Sequence, residues 1–123
     1  MKLGVTRIKQ KGKELYLGWL PAEELIRRGR VDTWTPAHTD GYQRSLVPKR
    51  VGEVAWYLME AEGIMPTSIL VSIRSDTNFD EQRSVLDIPD EGILWIIDGQ
   101  HRVAGLASAI ERGEQGLKDY PLP

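Results

Sequence analysis

Four polar side chains that can bind ligands or transfer protons stand together between two apolar runs of the sequence. They belong to residues 96–106, which read IIDGQHRVAGL and include Asp98, Gln100, His101 and Arg102. The apolar run before them predicts a strand and the run after them predicts a helix, so they occupy a strand–turn–helix junction. The first turn of a helix has backbone N–H groups without partners, and its dipole favours an anion. The pattern therefore predicts a phosphate-binding turn.

Four residues of this junction have a predicted role in such a site. Gly99 lets the backbone approach a ligand closely, Arg102 offers a planar fork for phosphate oxygens, and His101 offers a donor near neutral pH. Asp98 is the nearest carboxylate that could hold a metal or orient an attacking water. Asp98 and His101 are thus the candidate catalytic residues, and Asp98 is the candidate metal ligand. The sequence contains no GxxxxGK[ST] motif, so the turn is not a Walker loop.

A purely structural explanation fits the same residues. Asp98 can cap the helix, Gly99 can form the turn, and Arg102 can pair with Asp98 or with another acid. An Asp-Gly pair before a helix is common in proteins. The residues of the junction alone leave both explanations open.

The composition excludes several classes of protein. The 123 residues are 41% hydrophobic and 28% charged, which is typical of one globular domain, and the absence of cysteine excludes disulfides and thiolate metal sites. No apolar run approaches the roughly 18 residues needed to cross a bilayer, and the first residues lack the pattern of a signal peptide. We expect a single cytoplasmic domain over residues 1–123 with no membrane partner.

Basic and acidic residues are unevenly distributed along the chain. The net charge is −2, but residues 1–50 contain 11 Lys/Arg and 5 Asp/Glu, whereas residues 51–123 contain 5 and 13. A basic first half can meet a polyanion. A folded domain can equally mix the two halves in space, so the charge pattern alone does not predict DNA binding.

The remaining sequence predicts an α+β fold, a small mixed sheet with helices packed on it. The expected elements, in chain order, are a strand hairpin over residues 4–20, a short helix from Pro21 to Gly29, a loop over 31–47, a helix from Pro48 to Gly63, a buried strand over 68–73, a loop or edge hairpin over 74–92, a central strand over 93–97 and a helix over 103–112. We expect three tryptophans, Trp34, Trp56 and Trp95, in the core, and His38 on the surface.

Two blocks of the sequence resemble the DGQHR-domain family, whose name is the pentapeptide at residues 98–102. The upstream block has Gly41-Tyr42-Gln43-Arg44, then a helix that begins with Lys49-Arg50-Val51 and contains residues 55–58, then the proline-preceded run at 66–71. Both blocks stand in the order of the family pattern, and the resemblance covers about residues 41–106.

The resemblance implies a link to bacterial DNA modification or defence. The family includes the regulator of DNA phosphorothioation, and it is similar to the ParB/sulfiredoxin-like superfamily, in which a related turn before a helix holds nucleotide phosphates. Some of those relatives hydrolyse nucleotides, one group phosphorylates free serine, and others bind DNA. Family members are commonly longer than this chain, so the resemblance implies a single DGQHR-type domain that is a fragment or a minimal form.

Carried over by position, Asp98, Gly99, Gln100, His101 and Arg102 would form the phosphate-binding turn. The further candidates for phosphate binding come from the upstream block, and they are Gln43, Arg44 and Arg50. The alternative for Arg50 is that it is only a solvated residue on the exposed face of its helix. Tyr42 would stack on a base or serve in packing. The implied ligand is a nucleoside triphosphate with Mg²⁺.

Three functions remain open at this point. The first is a nucleotide-binding domain, with or without NTP hydrolysis or phosphotransfer. The second is a non-catalytic DNA-binding regulator that grips backbone phosphate with the same turn and with Arg44, Lys49 and Arg50. The third is a scaffold that contacts other DNA-modification proteins.

Overall fold

The computed structural model describes residues 1–41, 43–60 and 63–123. The strands within these residues are β1 (Lys2–Gln10), β2 (Lys13–Gly18), β3 (Leu20–Pro21), β4 (Gly29–Arg30), β5 (Leu70–Ile73), β6 (Asn78–Asp80), β7 (Val85–Asp87), β8 (Leu94–Asp98) and β9 (Pro121–Leu122). The helices are α1 (Ala22–Arg28), α2 (Pro48–Glu60) and α3 (Gln100–Glu111), and a 3-10 helix spans Gln115–Asp119. The predicted α+β class is confirmed.

The strands form two main sheets. The predicted hairpin of β1 and β2 joins the hairpin of β6 and β7 in a four-stranded antiparallel sheet with the order β2-β1-β7-β6. The second sheet has the order β4-β8-β5, in which β8 pairs parallel with β4 and antiparallel with β5. The segment predicted as a loop or edge hairpin does contain a hairpin, and its strand β7 is an inner strand because β1 pairs with it.

Strand β8 is the central strand of the mixed sheet, as the continuous apolar run predicts, and its Leu94 and Ile96 are buried. Strand β5 differs from the prediction of a buried strand over residues 68–73. It is shorter, and its first residue, Leu70, is 47% exposed. The difference arises because β5 pairs with β8 on one side only and lies at the edge of the sheet.

Helices α1 and α2 agree with the predicted helices at their start. Pro21 precedes α1, acids occupy its first turn, and Gly29 ends it. Ala55 and Leu58 of helix α2 are buried in the core, whereas Lys49, Arg50 and Glu53 are exposed. Its predicted end falls partly on residues 61 and 62, which lie outside the described residues.

Helix α3 begins at Gln100, three positions before the predicted start at Val103. The motif residues Gln100, His101 and Arg102 are therefore the first turn of the helix, with their backbone N–H groups at its positive end. Helices α2 and α3 cross closely at Gly105, where a Cβ atom would overlap with the side chain of Val54. This crossing sets the spacing between the starts of the two helices.

Two of the three tryptophans expected in the core are exposed. Trp34 is 51% exposed and Trp56 is 61% exposed. Trp56 follows the buried Ala55 by one position, so it lies about 100° around the helix on the solvent side, and Trp34 lies in the loop before α2. Trp95 is half-buried, with the Arg74 guanidinium 4.3 Å from its ring centroid.

Aliphatic side chains fill the core instead, and they come from the three helices and from β7, β8 and β9. The largest fully buried side chains are Leu25, Ile88, Leu106 and Leu122. His38 lies on the surface as predicted, with Nε2 2.8 Å from Asp32 Oδ1. Among the described residues, no helix has the length and apolar character required to cross a membrane.

Candidate phosphate-binding cleft

Gly99 connects β8 to α3 and allows the turn of the motif. Its φ of 101° and ψ of 15° lie in the left-handed region, which favours glycine. A Cβ atom at this position would also lie 2.5 Å from Ile69 Cδ1. The Val103 N–H donates to Gly99 O at 3.1 Å as the first bond of the helix. The N–H groups of the three residues between them therefore precede the intrahelical bonds and face the start of the helix.

Asp98 does not cap α3. The N-cap residue is Gly99, with no side-chain hydrogen bond, and Asp98 is the last residue of β8. The Asp98 side chain is 75% exposed, with Oδ2 3.6 Å from Arg102 Nη2. The capping explanation was wrong because the helix begins one residue later than an Asp98 cap requires, whereas the expected pairing of Asp98 with Arg102 is present.

Arg102 ties the first turn of α3 to the segment before β5. Its Nη1 donates to both Thr67 O and Thr67 Oγ1 at 2.7 Å, and its Nη2 donates to Ser68 O at 3.4 Å. These bonds use Nη1 and Nη2 of the guanidinium group that was predicted to bind phosphate. Arg102 thus has a structural role, whatever further contact a ligand makes with it.

His101 holds the loop that leads into α2. Its Nε2 accepts a hydrogen bond from the Val47 N–H at 3.0 Å, so this nitrogen carries no proton. Burial, with a smaller contribution from the positive charge of Arg50, lowers the pKa of His101 below its ordinary value of 6.5. The imidazole is therefore neutral near pH 7, and the predicted donor role is left to Nδ1.

Two glutamine amides also hold this loop. Gln43 Nε2 donates to Ile97 O of β8, and Gln100 Nε2 donates to Arg44 O at 3.0 Å. Because Arg44 O can only accept, the Gln100 amide must present its nitrogen there. Its Oε1 then has no hydrogen-bond partner among the described residues, although Gln100 is only 9% exposed.

These contacts bring all the predicted site residues to one cleft. Its volume is about 740 Å³, and it lies between the loop at residues 43–47, the start of α2 and the first turn of α3. The predicted site residues that line it are Gln43, Arg44, Arg50, Asp98, Gly99, Gln100, His101 and Arg102. The upstream and downstream blocks of the sequence therefore meet in space, while Tyr42 lies outside the described residues.

The cleft carries charges of both signs. The side chains of Arg44 and Arg50 are exposed, and Glu53 and Asp98 add two carboxylates to the lining. The described residues contain no group of three or more His, Asp or Glu side chains that could hold a metal ion. A divalent ion beside Asp98 would have to take most of its oxygen ligands from the bound phosphates and water.

A second cleft that the sequence analysis missed adjoins the first. Its volume is about 550 Å³, and Trp34, Thr35, Pro36 and Gly41 line it together with three residues shared with the first cleft, Gln43, Arg44 and Ser45. The sequence does contain a signal for it, because Trp34 stands among turn formers in a segment without apolar periodicity. A tryptophan in such a segment is a candidate for exposure.

The fold and the cleft together define a small α+β domain with an anion-compatible helix start. The family model of DNA-sulfur modification-associated proteins, DndB, matches residues 3–123. The chain therefore belongs to the DndB family, and its predicted link to bacterial DNA modification is confirmed. Searches among curated proteins and among solved structures found no match.

Proposed function

We propose that the cleft binds the phosphate groups of a nucleoside triphosphate and that the chain is the ligand-binding domain of a DNA-sulfur modification protein. One observation carries the proposal: the N–H groups at the start of α3 and the exposed guanidinium groups of Arg44 and Arg50 border the same cleft. A helix start supplies partial positive charge, and arginine supplies donors for phosphate oxygens.

Two further features support a nucleotide as the ligand. The cleft volume of about 740 Å³ lies in the range typical of small-molecule sites, roughly 300–1,000 Å³. The resemblance of residues 41–106 to the DGQHR-domain family and the ParB/sulfiredoxin-like superfamily implies the same use of the turn.

We further propose binding without turnover. His101 Nε2 is occupied by the Val47 N–H, and Asp98 lies 3.6 Å from the Arg102 guanidinium. Neither group is placed as an isolated general base. We expect no phosphate release from any nucleoside triphosphate, with or without Mg²⁺, above the level of a buffer control.

DNA backbone phosphate is the second candidate ligand. Arg44 and Arg50 line the open cleft, and Lys49 is exposed next to Arg50 on the first turn of α2. Affinity for duplex DNA that depends on these cations should fall steeply as salt is raised. Affinity for a nucleotide held in the cleft should change less.

The test is a titration of the wild-type protein and of Arg50→Ala with ATP, CTP, GTP, UTP and a short DNA duplex, at low and at moderate salt. We expect Arg50→Ala to weaken nucleotide binding about tenfold, since a charge-assisted hydrogen bond contributes about 1.5–3 kcal/mol and Arg50 is exposed. Arg83→Ala is the matched control, because Arg83 is an equally charged, exposed residue beside β7 in the other sheet.

The outcomes separate the candidates. Nucleotide binding that Arg50→Ala weakens and Arg83→Ala does not supports the proposal. Binding of the duplex alone, with a steep salt dependence, replaces it by DNA binding. No binding of any of these ligands contradicts both.

A further inference from the structure

The second cleft, which we call the tryptophan cleft, shares three lining residues with the phosphate-binding cleft. Gln43, Arg44 and Ser45 line both. Arg44 therefore lines both the cleft that contains Trp34 and Pro36 and the cleft at the start of α3. A ligand that fills both clefts must combine a flat apolar part with an anionic part.

The backbone around Trp34 is held in place rather than loose. The Trp34 N–H donates to Gln43 O at 2.7 Å, and the Gln43 N–H donates to Asp32 O at 3.0 Å. Gly41 packs against the backbone of Thr33 so closely that a Cβ atom would overlap with it. Trp34 is nevertheless 51% exposed, so a well-anchored loop presents a large aromatic ring to solvent at the edge of a cleft.

The unpartnered amide oxygen of Gln100 is an independent indication of the ligand type. A buried acceptor without a donor costs free energy, and a ligand donor or a water relieves that cost. The phosphate oxygens of a ligand act mainly as acceptors, whereas the sugar hydroxyl and base amino groups of a nucleotide are donors. Gln100 is nine-tenths buried and lines the phosphate-binding cleft, so a nucleotide fits this acceptor better than a bare phosphate.

We propose that Trp34 stacks on a nucleobase while the phosphate of the same nucleotide lies at the start of α3, with Arg44 between them. This inference rests on the proposed phosphate binding and names its ligand as a base joined to phosphate. Stacking on an aromatic side chain accepts any base, because every base has a π-face. The same chemistry can come from a free nucleoside triphosphate or from an unpaired nucleotide in a DNA strand.

A paired base inside a duplex does not fit the tryptophan cleft, because its neighbours in the stack cover both of its faces. The source of the nucleotide is therefore open to experiment. A short single-stranded oligonucleotide and its duplex carry the same phosphate chemistry and differ in whether their bases are free to stack.

The experiment measures the dissociation constants of tripolyphosphate, the four nucleoside triphosphates, the single strand and the duplex for wild type, Trp34→Ala and Trp34→Phe. We expect Trp34→Ala to weaken every ligand that has a free base about tenfold and to leave tripolyphosphate unchanged. Trp34→Phe should retain most of the affinity because it keeps an aromatic face. Trp56→Ala is the matched control, since Trp56 is exposed on α2 and lines neither cleft.

If Trp34→Ala does not fold, the test compares the tryptophan fluorescence of wild type and of Trp34→Phe as nucleotide is added. Stacking predicts that nucleotide quenches the tryptophan emission of wild type and that this quenching is lost in Trp34→Phe.

Failure of the two proposals can be distinguished. If tripolyphosphate and the nucleotides bind wild type with equal affinity, and Trp34→Ala leaves these affinities unchanged, the stacking is overturned and the phosphate site remains. No binding of tripolyphosphate or of any nucleotide overturns the phosphate site and the stacking together. A preference for nucleoside triphosphate or for single strand, if Trp34→Ala removes it, supports the stacking and identifies the source.

Discussion

At the scale of single residues, the DGQHR turn makes structural contacts of the kind that the sequence presented as the alternative to phosphate binding. Arg102 bonds to Thr67 and Ser68, and His101 accepts from the Val47 N–H. These contacts position the backbone N–H groups of α3 and the loop that carries Arg44. A motif residue can therefore be essential to the cleft without donating to the ligand itself.

His101 should make the stability of the fold depend on pH. Its pKa in the folded protein is lowered by burial, whereas in the unfolded chain it titrates near 6.5. Between these two values the unfolded chain binds more protons, so the contribution of His101 to the free energy of unfolding is complete above about pH 6.5 and is lost as the pH falls below it. We expect urea unfolding of wild type to show this loss between about pH 7 and pH 5.

The variant His101→Gln tests the assignment, because its amide oxygen can accept from the Val47 N–H but does not titrate. The pH-dependent loss of stability should be smaller in this variant, and His38→Gln controls for removal of a histidine elsewhere. Equal pH profiles for wild type and His101→Gln would show that another group is responsible.

At the scale of secondary-structure elements, the cleft depends on how α2 and α3 cross. The closest approach is at Gly105, where no side chain fits against Val54. Both helices begin at the cleft, α2 with Arg50 in its first turn and α3 with the motif. Their crossing therefore sets the distance between the arginine and the N–H groups of α3.

Alanine at the two helical glycines should have opposite effects. Gly105→Ala should lower the free energy of unfolding, because overpacking costs about 1–3 kcal/mol and outweighs a gain in helix propensity of about 1 kcal/mol. Gly52→Ala, in α2, meets no atom within 4 Å and should raise it by about 0.5–1 kcal/mol. Urea unfolding measures both. Stabilisation by Gly105→Ala would mean that the helices can move apart without cost.

At the scale of the whole molecule, one buried arginine links the helical layer to the connection between the two sheets. The side chain of Arg28, in α1, is 5% exposed. Its Nη1 donates to Pro89 O at 2.9 Å and to Asp90 O at 3.1 Å, in the segment that joins β7 to β8. Its Nε donates to Glu24 Oε2 at 3.0 Å.

Replacing Arg28 should destabilise the fold as a unit. Arg28→Leu removes these charge-assisted bonds from a buried position, so we expect a loss of about 1.5–3 kcal/mol in the free energy of unfolding. Arg27→Leu is the matched control, because Arg27 is 55% exposed and pairs with the same Glu24. It should cost about 0.2–1 kcal/mol. Similar losses in the two variants would contradict a role for Arg28 in joining the layers.

The sequence by itself determined the elements whose local signals are strong. The β1–β2 hairpin, the helices after Pro21 and Pro48, and the central strand β8 follow from apolar periodicity and from proline and glycine positions. Most residues that line the cleft also follow from sequence, since the two blocks at 41–51 and 98–102 contain all of them except Glu53 and Val54. These features depend on neighbours along the chain, and such neighbours are visible in a sequence.

Only the tertiary structure decided the features that depend on distant partners. The division of the strands into two main sheets, with β3 and β9 as a separate pair, required β7 to pair with β1. The position of β5 at an edge left Leu70 exposed. The exposure of Trp34 and Trp56 likewise depends on which surfaces other elements cover. The hydrogen bond from Arg102 to Thr67 depends on the position of a segment that is distant in sequence. Periodicity reports which side of an element is apolar, but packing decides whether anything covers that side.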